Sequence, residues 1–90
     1  MQTKSFKIMV DGGLDARTAT TLVNLCMQYT SEITIEVLRK KIDFKSIMGV
    51  MALELTTGSE ITISAFGPDE AEAMDAILQK IMALKVGKEI

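Results

Sequence analysis

Apolar side chains recur at every second position in four short stretches of this chain, with three stretches of helical spacing between and after them. Phe6, Ile8 and Val10 alternate from Ser5 onward, which predicts a half-buried strand closed by Gly12 and Gly13. After Asp15 the apolar positions Ala19, Leu22, Val23 and Cys26 fall at helical spacing, predicting a helix to about Gln28 with its inner stripe on the sheet. Ile33, Ile35 and Val37 form a second alternating run. Ile42 and Phe44 form a short third, and the basic turn Leu38-Arg39-Lys40-Lys41 joins the two as a hairpin. That turn lacks the Asn-Gly or Asp-Gly pair that two-residue hairpins favour.

Ser46 precedes a short apolar helix containing Ile47, Met48, Val50, Met51 and Leu53, and its hydroxyl suits the cap position. Thr56-Thr57-Gly58-Ser59 reads as a loop. Ile61, Ile63 and Ala65 alternate in a fourth strand before Gly67-Pro68. Asp69 opens the last helix and, with Glu72, makes an acidic variant of the capping box ahead of the stripe Met74, Ile77, Leu78, Ile81 and Met82. The order β-α-β-β-α-β-α predicts an α+β two-layer sandwich, its sheet covered on one face and partly wet on the other.

Ninety residues make one domain, here residues 1–90, with one modest core. Aromatics are only 4% of the chain, so that core must come from aliphatic residues and the seven methionines. A net charge of −2, with no aromatic platform or long basic run, argues against direct nucleic-acid binding and leaves proteins as the expected partners. Cys26 is alone, so no internal disulfide forms, which is compatible with a reducing cytosol. No segment approaches the roughly 20 apolar residues that span a bilayer, and no secretion signal opens the chain. A soluble cytoplasmic protein with no membrane partner is expected.

The chain contains no histidine, which excludes imidazole chemistry and any Cys-His dyad. There is no nucleotide-binding glycine loop and no metal-ligand spacing, so neither a cofactor nor a metal is expected. Cys26 lies on the inward stripe of the first helix and reads as an inert core thiol.

Two blocks resemble the HPr family, the small phosphocarriers of the bacterial sugar phosphotransferase system. Gly13-Leu14-Asp15-Ala16-Arg17-Thr18-Ala19 resembles the family's active-site segment, with Asp15 where the family carries its phosphorylated histidine and Thr18 where it carries proline. Lys45-Ser46-Ile47-Met48-Gly49-Val50-Met51 resembles its regulatory-serine segment. The resemblance implies an open-faced sandwich with a four-stranded antiparallel sheet and three helices. It also implies a regulatory, non-enzymatic protein close in kind to histidine-lacking members such as catabolite-repression HPr.

On that resemblance, Ser46 is the target of an ATP-dependent HPr kinase/phosphorylase, and the modified protein binds a catabolite-control transcription factor. Enzyme I and sugar-permease subunits are further partners that it implies. Asp15 has two readings: a helix N-cap, or a partial imitation of the charge on a phosphorylated histidine. A carboxylate already carries charge where an incoming anion must approach, so ordinary phosphocarrier turnover is not expected. Residual phosphoryl acceptance by Asp15, with Arg17 beside it, is the alternative, as is a diverged adaptor with neither modification. Ile47, Met48 and Met51 divide between core packing and an exposed patch for docking, rimmed by Lys45 and Arg17, which could also meet a phosphate.

Overall fold

The computed structural model describes all 90 residues. Its elements are β1 (Gln2–Ile8), α1 (Ala16–Cys26), β2 (Glu32–Val37), β3 (Lys40–Asp43), α2 (Ile47–Ala52), β4 (Glu60–Phe66), α3 (Glu70–Ala83) and β5 (Gly87–Glu89). The strands form one antiparallel sheet in the order β3-β2-β4-β1-β5. Strand alternation turns Phe6, Ile8, Ile33, Ile35, Ile61 and Ile63 to one face, where the buried stripes of α1 and α3 cover them. Each such side chain contributes about 1.5–3 kcal/mol relative to exposure. The other face is polar: the hydroxyls of Ser5 and Thr62 lie 3.0 Å apart, and those of Thr3 and Ser64 lie 3.3 Å apart.

The sheet has five strands, where the sequence pattern and the resemblance implied four. β5 is three residues long and pairs Gly87 with Ile8, Lys88 with Lys7 and Glu89 with Phe6. Its glycine, lysine and glutamate show no apolar alternation, because backbone pairing to β1 makes the strand and buried Val86 anchors it. The same junction ends β1 early. Met9 and Val10 both donate their N–H to the Val86 carbonyl, at 2.8 and 3.2 Å, so the chain leaves the ladder after Ile8 although Val10 still packs on the core. Phe44 lies one residue beyond β3, yet its N–H donates to the Ile33 carbonyl at 2.9 Å and its ring is buried.

The expected capping box at Asp69 and Glu72 does not form. Asp69 makes no side-chain cap bond to α3; its carboxylate accepts the N–H groups of Thr30 and Ser31, each at 2.9 Å, and the Ser31 hydroxyl. Glu70 supplies the local contact instead, taking the Gly67 N–H at 3.1 Å and the N-terminal ammonium at 2.8 Å. Close approach explains one glycine of this corner: at Gly67, with φ of 152°, a Cβ would press on Ser31 Oγ at 2.6 Å.

Candidate functional site

Positive φ at Gly13, 80°, turns the chain after β1 so that Leu14 donates its N–H to the Leu55 carbonyl at 2.9 Å. This pairing sets the start of α1 against the segment that follows α2. A side chain at residue 13 would strike the Leu55 carbonyl and approach Thr56 Cα to 2.7 Å, so only glycine fits.

Asp15 follows in extended geometry as the N-cap of α1, and its Oδ1 accepts the Thr18 N–H at 2.8 Å. That backbone bond, aided by the Thr18 hydroxyl and the Arg17 guanidinium, holds the Asp15 carboxyl below its usual range. Both Asp15 and Arg17 are exposed, and Arg17 forms no ion pair. The capping reading of Asp15 is therefore realised in the geometry. An ionised carboxylate occupies the position, with one oxygen committed to the helix.

Ser46 caps α2 in the same manner, accepting the Gly49 N–H at 3.1 Å. Asp43 shapes the approach to it: its carboxylate accepts the Lys45 N–H at 2.8 Å and its carbonyl accepts the Ser46 N–H at 3.1 Å. Gly49 leaves room around the hydroxyl, since a Cβ there would sit 3.1 Å from Ser46 Oγ. Ser46 is half-buried and has no other hydrogen bond from its side chain.

Beside it, α2 buries Val50 and leaves Ile47, Met48 and Met51 outside, at 39%, 85% and 37% exposure. The core packing expected for at least one of these three does not occur, because Val50 is the residue that α2 turns into the core, so all three contribute to the exposed patch. Lys45 is placed differently from expectation. Its ammonium donates to the Tyr29 carbonyl at 2.7 Å and so braces the loop after α1, instead of lying free beside the serine. Arg17 belongs to the Asp15 end of α1 and makes no hydrogen bond with Ser46.

Asp43 and Tyr29 were missed as parts of this site. Asp43 had a local signal, since an aspartate two residues before the N–H it accepts is a common turn former. Tyr29 had none, because it acts through its carbonyl. Cys26 is fully buried on the inner face of α1, and desolvation pushes its thiol up to about 12. No group of side chains in the structure could hold a metal ion, and no helix is long and apolar enough to cross a membrane.

The five-stranded antiparallel sheet and the two helix starts capped by Asp15 and Ser46 define a small α+β sandwich module. A family model described as the PTS HPr component phosphorylation site matches residues 2–87, and the chain belongs to the HPr family. The histidine-containing phosphocarrier protein of Mycoplasma is similar at 38% identity and a TM-score of 0.93, over 96% of this chain and 98% of that one. The phosphocarrier HPr of Bacillus anthracis is 37% identical, with a TM-score of 0.80 over 88% of this chain and 94% of its own. Crh of Bacillus subtilis, a catabolite-repression protein crystallised as a swapped dimer, is 36% identical, with a TM-score of 0.72 over 86% of this chain and 88% of that one. The protein is thus an HPr- and Crh-like component of the phosphotransferase system, a family of phosphocarriers rather than catalysts.

Proposed function

We propose that this protein is a regulatory member of the family, switched by phosphorylation of Ser46 and silent in sugar phosphotransfer. The observation that carries this reading is the half-buried Ser46 hydroxyl beside the exposed Ile47, Met48 and Met51, in a chain without histidine. An HPr kinase transfers the γ-phosphoryl group of ATP to Ser46 Oγ, and ADP and the hydroxyl proton leave. The added charge of about −1.5 to −2 stands next to an apolar patch, a combination that a partner can read as one surface. A catabolite-control transcription factor is the expected reader, and the cytoplasm the expected compartment.

Asp15 supports this reading from the other end of the relay. It is ionised and engaged in capping α1, so phosphoryl transfer to it from phosphorylated enzyme I would require an anion to approach an anion. Incubation with the kinase and ATP tests the switch: phosphate enters the wild type and not Ser46→Ala, and equal incorporation by both removes it. Incubation with phosphorylated enzyme I tests the silent relay. Label that appears on the wild type, is released by hydroxylamine and is absent from Asp15→Asn would establish residual phosphocarrier activity instead.

A further inference from the structure

The tip of the β2–β3 hairpin is built against folding economy. Val37 and Lys40 form the closing pair of the ladder, leaving Leu38 and Arg39 as a two-residue loop. Leu38 has φ of 55° and Arg39 has no positive φ, a pattern in which the first loop position favours glycine. A leucine there is strained, and it covers nothing: Leu38 is 91% exposed, more than any other large apolar residue of the chain. Neither backbone nor core explains its presence.

Arg39, Lys40 and Lys41 follow directly, all exposed and none in an ion pair. Two carboxylates lie nearby. Glu36 faces Lys41 across the ladder, and Glu60 shares an open groove with Val37 and Leu38. Arg39 lies in the loop and Lys40 pairs with Val37, so neither has a carboxylate opposite. β3 is the outer strand of the sheet, so the tip projects from an edge of the molecule.

We propose that this tip is an interfacial anchor, resting on anionic lipid headgroups with Leu38 inserted below the charged plane. Side chains of successive strand residues point to opposite faces, so Lys40 and Lys41 flank the tip on two sides while Arg39 stands at its apex. A plane of negative charge meets all of these at once, whereas a protein pocket would need carboxylates on several walls around a leucine-sized hole. Each cation near an anionic leaflet raises partitioning about fivefold, an effect confined to a Debye length of about 8 Å at physiological salt. Because the whole chain carries −2, the contact depends on this local cluster and orients the molecule tip first. Such contact needs no spanning helix. It narrows the sequence-based expectation of no membrane partner to the absence of a bilayer span, and it stands independently of phosphorylation at Ser46.

Co-sedimentation of the full chain with phosphatidylglycerol/phosphatidylcholine vesicles, against phosphatidylcholine alone, tests the anchor. The wild type is expected to enrich at least tenfold on the anionic vesicles and to lose that enrichment in 0.5 M salt. Leu38→Gly should lower binding about tenfold at an unchanged or raised melting temperature, because glycine relieves the backbone while removing the inserted group. Arg39→Gln with Lys40→Gln should reduce it to the phosphatidylcholine level. Leu38→Trp should show blue-shifted emission with anionic vesicles only. No enrichment of the wild type overturns the proposal. Binding that survives both the Leu38→Gly and the charge-removing variants overturns it by placing the contact elsewhere.

Discussion

Asp69 reaches across from the start of α3 to Ser31, accepting its backbone N–H at 2.9 Å as well as its hydroxyl, and the Thr30 N–H completes the set. One carboxylate thereby ties the α1–β2 connection to the β4–α3 connection, segments 38 residues apart in sequence. The Ser31 hydroxyl and the Thr30 amide stabilise the charged form and lower the Asp69 pKa from 3.8 to about 2. A depressed carboxylate stabilises the fold above its unfolded value and loses that contribution as pH falls through the folded value. Asp69→Asn should therefore melt at a lower temperature than the wild type at pH 7. The gap should begin to close near pH 4 and vanish only below about pH 2, as followed by circular dichroism.

At Ser46, capping and modification can be separated by substitution. Ser46→Ala removes the bond from Gly49 N–H and should cost ~1 kcal/mol in urea denaturation as well as all kinase-dependent phosphate uptake. Ser46→Asp keeps a good cap and should hold wild-type stability, while adding one charge in place of a phosphate's two. Its affinity for the proposed transcriptional partner should fall between those of the unmodified and phosphorylated proteins, measured by calorimetric titration.

Gly13→Ala should be the more damaging change near Asp15. The left-handed backbone alone costs an alanine about 1–2 kcal/mol, and the added methyl group would also displace the Leu55 carbonyl. A loss of at least ~2 kcal/mol in denaturant unfolding is expected. Weakened hydrogen-exchange protection of the Leu14 amide, which that carbonyl holds, should accompany it.

Cys26 should resist a disulfide reagent at pH 8 in the native protein and react at once in urea, because burial both hides the sulfur and keeps it a thiol. Cys26→Ser would place a hydroxyl in that apolar site, and about 1–3 kcal/mol of destabilisation is expected if it finds no partner. Rapid modification of the folded protein would show that the α1 face opens on the timescale of the reagent.

Much of this molecule is written in short-range pattern. Period-two runs and helical stripes within ten or so residues located four strands and three helices, and the caps at Asp15 and Ser46 were legible because each bond closes over three residues. The role of Lys45 was not, since its ammonium contacts a backbone carbonyl 16 residues away. Nor could a six-residue helix reveal from periodicity which of Ile47, Met48, Val50 and Met51 the core would cover. Neighbouring elements made that choice, burying Val50 alone.

By itself the chain determined the order of its first seven elements, its apolar stripes and the absence of imidazole, all properties of residue type and near spacing. Tertiary structure alone decided that Gly87–Glu89 would be a fifth strand, that Asp69 would serve Ser31 rather than its own helix, and that Leu38 would stand bare at a basic tip. Those outcomes depend on which backbone edges and polar groups are left unpaired once distant segments have met, and no local pattern encodes that.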